Sequence, residues 1–203
     1  MSTYNTFLPI GDFAVRSFAL DDAAAIARHA NNRHVWVNLR DLFPFPYNTT
    51  HAQAWIREVM LDRPETAFAI ASSGEAIGGI GLHRQGDFMR RSAELGYWLG
   101  EEYWGRGITS DAVRVVTAWG FAHLDIDRIF AQVFAWNPAS ARVLEKTGFT
   151  FEGRLRGAVY KDGRTTDLLS YGILRPDPRP YVFILREPPA CRSRPPASTP
   201  IPR

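Results

Sequence analysis

The sequence predicts a mixed α/β domain built on one sheet, and three observations support this fold class. An apolar, strand-like run at 93–99 is followed by a helical pattern, in which Ala112, Val116 and Trp119 recur at three- and four-residue steps. A second strand-like run at 128–135 also precedes a helix start. Strand pairs separated by turn residues flank these two units. The predicted order of elements, βαα-ββ-βαβαββ, indicates a mixed sheet flanked by helices.

The N-terminal part of the chain supplies a first strand and two helices. Residues 12–18 alternate in polarity and predict a strand, and the acidic pair that follows favours the start of a helix ending near Asn31. Residues 32–50 (the 32–50 segment) are aromatic and interrupted by prolines, so we expect an irregular conformation there. Residues 50–61 show helical spacing of apolar positions and predict the second helix.

The other strands are predicted as hairpins. A Ser-Ser-Gly turn signal at 72–74 separates strand-like runs at 66–71 and 75–82. The remaining predicted elements are a loop at 84–91, a strand beginning at 151, a turn at 160–164 and a strand at 166–174.

Two glycines stand between the 93–99 strand and the helix that follows it. Gly105 and Gly107 allow backbone N–H groups to approach an anion closely, and the helix N-terminus adds unpaired donors with a partial positive charge. The same pattern is also typical of a tight turn. The sequence lacks the third glycine of the dinucleotide-binding fingerprint and the Gly-Lys-Ser/Thr of a P-loop. This spacing alone therefore leaves both a phosphate-binding loop and a simple turn open.

The second strand–helix unit has a clear helix start and end. Asn137 is a favourable N-cap, and Pro138 suits the first turn because an N–H group is not needed there. Gly148 can adopt the left-handed conformation that ends many helices.

Together these pieces resemble the GNAT (Gcn5-related) N-acetyltransferases, and in particular the RimJ/RimL-type branch that acetylates the N-termini of ribosomal proteins. The matching stretches are ELGYWL at 94–99, YWGRG at 103–107, NPAS at 137–140 and EKTGF at 145–149. The resemblance extends over roughly residues 10 to 174. It implies a GNAT-type domain at 1–174, with a mostly antiparallel, twisted sheet that is split at a cleft for acetyl-CoA.

The resemblance also implies how acetyl-CoA, the predicted cosubstrate, is bound. The family places the pyrophosphate on the loop that matches Gly105 to Thr109. Glu102 replaces the Arg or Gln at the first position of this loop, and we expect binding to survive because the loop acts mainly through backbone donors. The implied cofactor-binding residues are Trp98, Leu99, Trp104, Gly105, Arg106, Gly107, Ile108, Thr109 and Asn137.

Glu94 is the predicted general base. Transfer of an acetyl group to an amine requires that the ammonium lose a proton, which a carboxylate can accept. Glu94 is the only charge in the run 93–99, and strand alternation places it on one face with Gly96 and Trp98. Matching strands of several GNAT enzymes carry their base at this position. A structural glutamate on the sheet is the alternative, and His83 and His34 are substitute candidates for the base.

Ser140 is the predicted general acid, because the ribosomal-protein branch has a serine at the matching position near the cofactor sulfur. The alternative is that Ser140 only supports the helix start. The tyrosine that many GNAT enzymes use as the acid is replaced by Glu145, and a glutamate of the ribosomal-protein branch is replaced by Val159. These replacements leave a second function class open, a non-catalytic CoA-binding or interaction module with the same fold.

The acceptor is predicted to be a primary amine, either a protein N-terminus or a small molecule. In the family, the segment that matches the 32–50 segment overlies the acceptor pocket. The alternative for each aromatic residue there is that it fills the core. The candidate acceptor-binding residues are Trp36, Asn38, Arg40, Phe43, Phe45 and Tyr47 from this segment, with His83, Tyr97 and Tyr160 from other elements.

Composition restricts the compartment and the cofactors. Cys191 is the one cysteine, which excludes an internal disulfide and fits a reducing compartment. The chain has no apolar run of the length that a membrane span needs and no signal-peptide pattern, so we expect a cytoplasmic protein without a membrane partner. The five histidines are scattered without metal-ligand spacing, and no metal is expected.

Residues 175–203 differ in composition from the rest of the chain. They contain six arginines against Asp177 and Glu187, together with nine of the fourteen prolines. We expect a Pro/Arg-rich, flexible tail, although the run 181–185 could add an edge strand. Nucleic acid is not an expected partner, while the basic tail leaves contact with the ribosome open. We expect a monomer or a homodimer.

Overall fold

Within residues 6–176, eight strands form one sheet with helices on both faces, which confirms the predicted fold class. The computed structural model describes residues 6–176, so the tail from 177 onward, including Cys191 and the run 181–185, lies outside the described residues. The strands are β1 (Phe7–Ile10), β2 (Phe13–Arg16), β3 (Ala67–Ala71), β4 (Ala76–Arg84), β5 (Ser92–Leu99), β6 (Arg128–Phe134), β7 (Thr150–Lys161) and β8 (Arg164–Leu174). The helices are α1 (Ala23–Ala30), α2 (Arg33–Trp36), α3 (Thr49–Val59), α4 (Ile108–His123) and α5 (Pro138–Lys146).

The sheet is antiparallel except at its centre. Its strand order is β1-β2-β3-β4-β5-β6-β8-β7. Among the strands of residues 6–176, β5 and β6 form the single parallel pair. A parallel pair needs a crossover connection, which α4 supplies here. The connection from the end of β5 at Leu99 to the start of α4 at Ile108 contains the loop with Gly105 and Gly107.

Two hydrophobic clusters hold the helices against opposite faces of the sheet. On one face, Val113 and Val116 of α4 and Leu144 of α5 are fully buried with apolar residues of the central strands. On the other face, Ile26 of α1 and Ile56 of α3 are equally buried. Each such side chain contributes about 1.5–3 kcal/mol of burial free energy, so both helical layers are firmly attached to the sheet.

Two parts of the sequence prediction were wrong in detail. The first strand is one arm of a hairpin, in which Ile10 pairs with Phe13 around a turn containing Gly11 at φ +64°. The 32–50 segment contains the short helix α2, where irregular structure was expected. The Asn32 side chain caps this helix by accepting a hydrogen bond from the His34 N–H at 2.8 Å.

The contacts of the domain extend one residue beyond the predicted boundary at 174. The Arg175 N–H donates to the Asp127 carbonyl at 2.8 Å. Its guanidinium donates to the carbonyls of Ile126 and Leu124, both at 3.0 Å. The first residue of the predicted tail is thus attached to the α4–β6 connection.

Candidate active site

The central parallel strands separate and open a cavity between them. The β5–β6 ladder ends at the pair Glu94–Phe130, although β5 continues to Leu99 and β6 to Phe134. A cavity of about 970 Å³ lies along the separated strands. From β5 and β6 it is lined by Glu94, Leu95, Gly96, Tyr97, Trp98, Leu99, Ala131, Gln132, Val133 and Phe134. The split that the resemblance implied is therefore present in the sheet.

The loop at the start of α4 presents backbone donors at one end of this cavity. Gly105 and Gly107 have φ values of +75° and +80°, in the left-handed region that favours glycine. Gly107 is the N-cap of α4 and no side chain caps the helix, so the first N–H groups are left for another acceptor. A Cβ atom at either glycine would meet nothing within 4 Å, which leaves open space beside the backbone for an anion. Trp104, Gly105 and Thr109 line the cavity.

Other predicted cofactor residues support this loop. The Trp104 indole N–H donates to the Leu99 carbonyl at 2.8 Å and so ties the loop to the end of β5. The Arg106 guanidinium lies 5.1 Å from the ring centroid of Phe13 and 5.6 Å from that of Tyr103. Ile108 is buried in the core below α4. Arg106, Gly107 and Ile108 stand beside the cavity and do not line it.

Glu102, at the position where the sequence departs from the family, pairs with a buried histidine. The Nδ1 atom of His29 lies 3.0 Å from a Glu102 oxygen, and its Nε2 atom lies 3.2 Å from a Glu75 oxygen. Hydrogen bonds from Asn32 and His34 to Glu101 lower the pKa of that neighbouring carboxyl. Both acidic residues before the loop therefore have side-chain partners within the protein.

The start of α5 brings Ser140 against a buried tyrosine of β5. Asn137 caps the helix, since its side-chain oxygen accepts a hydrogen bond from the Ser140 N–H at 3.1 Å. The Ser140 Oγ atom lies 2.8 Å from the Tyr97 hydroxyl oxygen, a hydrogen bond in which either hydroxyl can donate. Burial raises the pKa of Tyr97 to about 12, so its phenol stays protonated at neutral pH. Asn137, Ser140 and Tyr97 all line the cavity.

Glu145, at the family's usual tyrosine position, is also bonded to a tyrosine. The Tyr171 hydroxyl donates to a Glu145 oxygen at 3.1 Å. Burial, and then the bond to Glu145, raises the pKa of Tyr171. Neither residue lines the cavity, so this pair lies behind the site.

Glu94 lies at the point where β5 and β6 separate. Its side chain is 13% exposed and forms an ion pair with Arg40 of the 32–50 segment. His83 is the β4 partner of Glu94 in the sheet register, so both side chains project from the same face. The His83 ring also lies over Gly96, where an added Cβ would come within 3.4 Å of its Nε2 atom. One carboxylate, one imidazole and one guanidinium thus meet at this end of the cavity.

The structure divides the predicted acceptor residues into two groups. Asn38, Arg40, Phe43 and Tyr47 line the cavity, as do His83 and Tyr97. Tyr47 is buried, and burial raises its pKa to about 12. Trp36, Phe45 and Tyr160 do not line it: the Trp36 and Phe45 rings stack on each other at 5.3 Å, and Tyr160 is 72% exposed.

Sequence reasoning missed one face of α3. His51, Trp55 and Glu58 line the cavity opposite β5. Their spacing of four and three residues marks one face of a helix, so the pattern was visible in the sequence. Trp55 packs edge-on against Phe18, with ring centroids 4.7 Å apart, and also borders the cavity.

Metal-ligand clusters and membrane-spanning helices are both absent from the described residues. In residues 6–176, no group of three or more His, Cys, Asp or Glu side chains is placed to hold a metal ion. No helix in that range is both long enough and apolar enough to cross a membrane.

Comparisons with known proteins agree with this geometry. Residues 13–150 match the family model described as acetyltransferase (GNAT) domain. The chain is 42% identical over 102 residues to the uncharacterized N-acetyltransferase YoaA of Bacillus subtilis, a stretch that covers 50% of this chain and 57% of that protein. The chain thus spans little more than half the length of this relative.

Two solved structures share the fold over most of the chain. The ribosomal-protein-S5-alanine acetyltransferase from Vibrio fischeri has a TM-score of 0.73 and 25% identity, covering 86% of this chain and 100% of its own. RimJ of Mycobacterium smegmatis in complex with CoA-disulfide has a TM-score of 0.72 and 25% identity, covering 84% of this chain and 86% of its own.

Proposed function

The chain belongs to the GNAT acetyltransferase family, and on that premise we propose that it transfers the acetyl group of acetyl-CoA to a primary amine. One observation carries this proposal. The cavity at the β5–β6 split is lined at one end by Trp104, Gly105 and Thr109 and along its walls by Glu94, Tyr97 and Ser140. The candidate phosphate-binding loop, the candidate base and the candidate acid thus border the same cavity.

Acetyl-CoA is the proposed cosubstrate, with its pyrophosphate at the loop from Gly105 to Thr109. The two left-handed glycines and the uncapped start of α4 supply N–H donors, and the helix dipole favours negative charge there. The relative from Mycobacterium smegmatis was solved with a CoA-disulfide, which supports the same class of ligand. When bound, acetyl-CoA supplies the thioester that an amine can attack.

Glu94 is the proposed proton acceptor. An amine with a pKa near that of lysine, about 10.4, arrives as ammonium at neutral pH and must lose a proton before it can attack. Glu94 lies in the cavity wall with its side chain only 13% exposed, and it is paired with Arg40. The neutral amine nitrogen then forms the new C–N bond as the C–S bond breaks. Its first proton stays on the carboxylate until it exchanges with water, and its second proton passes to water as the amide forms.

Ser140 and Tyr97 together form the proposed proton donor. Ser140 gives its hydroxyl proton to the departing thiolate, and Tyr97 replaces that proton through the 2.8 Å hydrogen bond between the two oxygens. A proton from water then restores the Tyr97 phenol. Because the pKa of Tyr97 is raised to about 12, the phenol holds its proton over the whole neutral range. The pair would take the place of the single tyrosine that is absent at Glu145.

The acceptor is proposed to be either a protein N-terminus or a small-molecule amine. The relative from Vibrio fischeri is named as acting on ribosomal protein S5, which supports the first class. The acceptor end of the cavity is bordered by the 32–50 segment and by α3, whose side chains would contact whatever lies next to the amine.

A non-catalytic CoA-binding module is the second candidate, and the replacement of the family's tyrosine by Glu145 favours it. The deciding experiment measures thiol release from acetyl-CoA with peptides that begin with Ala or Ser, free amino acids, a polyamine and an aminoglycoside. Calorimetric titration with acetyl-CoA runs in parallel. We expect binding and amine-dependent thiol release. Binding without release from any amine would establish the module, and absence of binding would overturn both candidates.

A further inference from the structure

Lys161 is an unusual residue in this chain. Lys146 and Lys161 are the only two lysines in the sequence, and arginine supplies the other cations. Lys146 is exposed at the end of α5, whereas Lys161 is 3% exposed at the end of β7. A buried ammonium is costly unless it is paired. Its partners therefore indicate what the position does.

Both partners of Lys161 belong to the 32–50 segment. The Nζ atom donates to an Asp41 carboxylate oxygen at 2.8 Å. The same atom lies 3.8 Å from the ring centroid of Trp36, the geometry of a cation–π contact. The adjacent Asp162 forms an ion pair with Arg33. Three contacts thus join the tip of the β7–β8 hairpin to residues 33–41.

These contacts lie on either side of one part of the segment's cavity lining; residues before Trp36 and after Asp41 also line the cavity. Trp36 and Asp41 flank Asn38 and Arg40, which line it. Trp36 itself faces the lysine and Phe45, away from the cavity lining. Lys161 does not line the cavity either, so it would act on the acceptor end only through the segment that it holds.

We propose that Lys161 is a positioning residue for the acceptor amine, because it fixes the 32–50 segment over the acceptor end of the cavity. The inference rests on the proposed acetyltransferase function. It explains why a lysine stands in an arginine-rich chain: a compact ammonium fits over the Trp36 ring in a closed space, whereas the planar guanidinium needs more room. Loss of the contact should loosen Asn38 and Arg40 together and weaken amine binding without changing the loop at Gly105.

The first test needs no catalytic activity. The native protein is treated with an amine-acetylating reagent, and peptide mass spectrometry follows both lysines, with exposed Lys146 as the internal reference. Lys161 should react at least about tenfold more slowly, because it is reached only through local opening. Asp41→Asn and Trp36→Leu should each accelerate Lys161 and leave Lys146 unchanged. Equal rates for the two lysines in the native protein would overturn the proposal.

The second test separates positioning from a general structural role. Lys161→Met should raise KM for the amine by about tenfold, with kcat and the dissociation constant of acetyl-CoA little changed. Lys161→Arg should recover part of the loss, and Lys146→Met should match the native protein in all three quantities. Asp41→Asn keeps the lysine and changes an exposed carboxylate, so this variant is expected to fold. It should also raise KM for the amine, as Lys161→Met does.

The two tests distinguish the failure modes. An unchanged KM in Lys161→Met, or an equal loss of amine and acetyl-CoA binding, would overturn the positioning role even if Lys161 is protected from labelling. If the native protein acetylates no amine while Lys161 remains protected, the proposed function fails and the contact is only structural.

Discussion

Replacement of Glu94 by Gln is the most direct probe of the proposed chemistry. Glutamine keeps the size of the side chain and can still accept a hydrogen bond from Arg40, but it does not accept a proton from an ammonium group. A positioned general base typically contributes about 10²- to 10⁴-fold in rate. That range corresponds to roughly 2.7–5.5 kcal/mol in activation free energy. We therefore expect kcat to fall by this factor while acetyl-CoA binds normally.

The structure indicates that the fold tolerates this change. Arg40 is 60% exposed, so after the substitution its guanidinium remains solvated by water. An ion pair with one exposed partner contributes at most about 1 kcal/mol to the free energy of unfolding. Glu152→Gln is a matched control, because Glu152 forms the same kind of pair with Arg128 outside the cavity. Both variants should unfold within a few degrees of the native protein.

The assay is thiol release at saturating acetyl-CoA between about pH 6 and pH 10. The kcat/KM of the native enzyme should rise with pH as the amine loses its proton. Glu94→Gln should be slowest at low pH and recover in part at high pH, because more of the amine is then already neutral. Near-native turnover of Glu94→Gln at neutral pH would refute the assignment. Loss of activity in Glu58→Gln instead would transfer the role to the other carboxylate that lines the cavity.

Three further predictions concern the other parts of the site. Gly107→Glu should weaken acetyl-CoA binding by at least about tenfold in calorimetry. Gly163→Glu is the control, because Gly163 has a similar φ of +74° and open space around it, and this variant should bind acetyl-CoA normally. Equal affinities in the two folded variants would contradict the phosphate-binding loop. Ser140→Ala and Tyr97→Phe should each lower kcat by about 10- to 1000-fold with unchanged acetyl-CoA affinity, and the double variant should lose no more than Ser140→Ala alone if they form one relay. Because the pKa of Tyr97 is raised to about 12, its neutral phenol stabilises the fold below about pH 10, and this contribution is lost as pH rises toward 12. In chemical denaturation, the free energy of unfolding of Tyr97→Phe should therefore fall less than that of the native protein between these pH values.

Local sequence patterns predicted the helix starts beside the proposed acetyl-CoA site. The start of α4 follows from two glycines between an apolar strand and a helical repeat, and the start of α5 from Asn137 and Pro138. Such signals act within one helical turn, so they can be recognised without knowledge of the rest of the fold. The Gly11 turn and the α3 face with His51, Trp55 and Glu58 were also present in the sequence as local patterns.

The partners of the chemical groups depend on the tertiary structure. The amino-acid sequence predicted the fold class, the glycine loop and the candidate base, because each prediction depends on patterns among neighbouring residues. It did not pair Tyr97 with Ser140, 43 positions apart, or Arg40 with Glu94, 54 positions apart. Lys161 and Asp41 are separated by 120 positions. These contacts form only when the sheet register, the split between β5 and β6 and the docking of the β7–β8 hairpin are all in place, and that cooperative packing has no local signature in the chain.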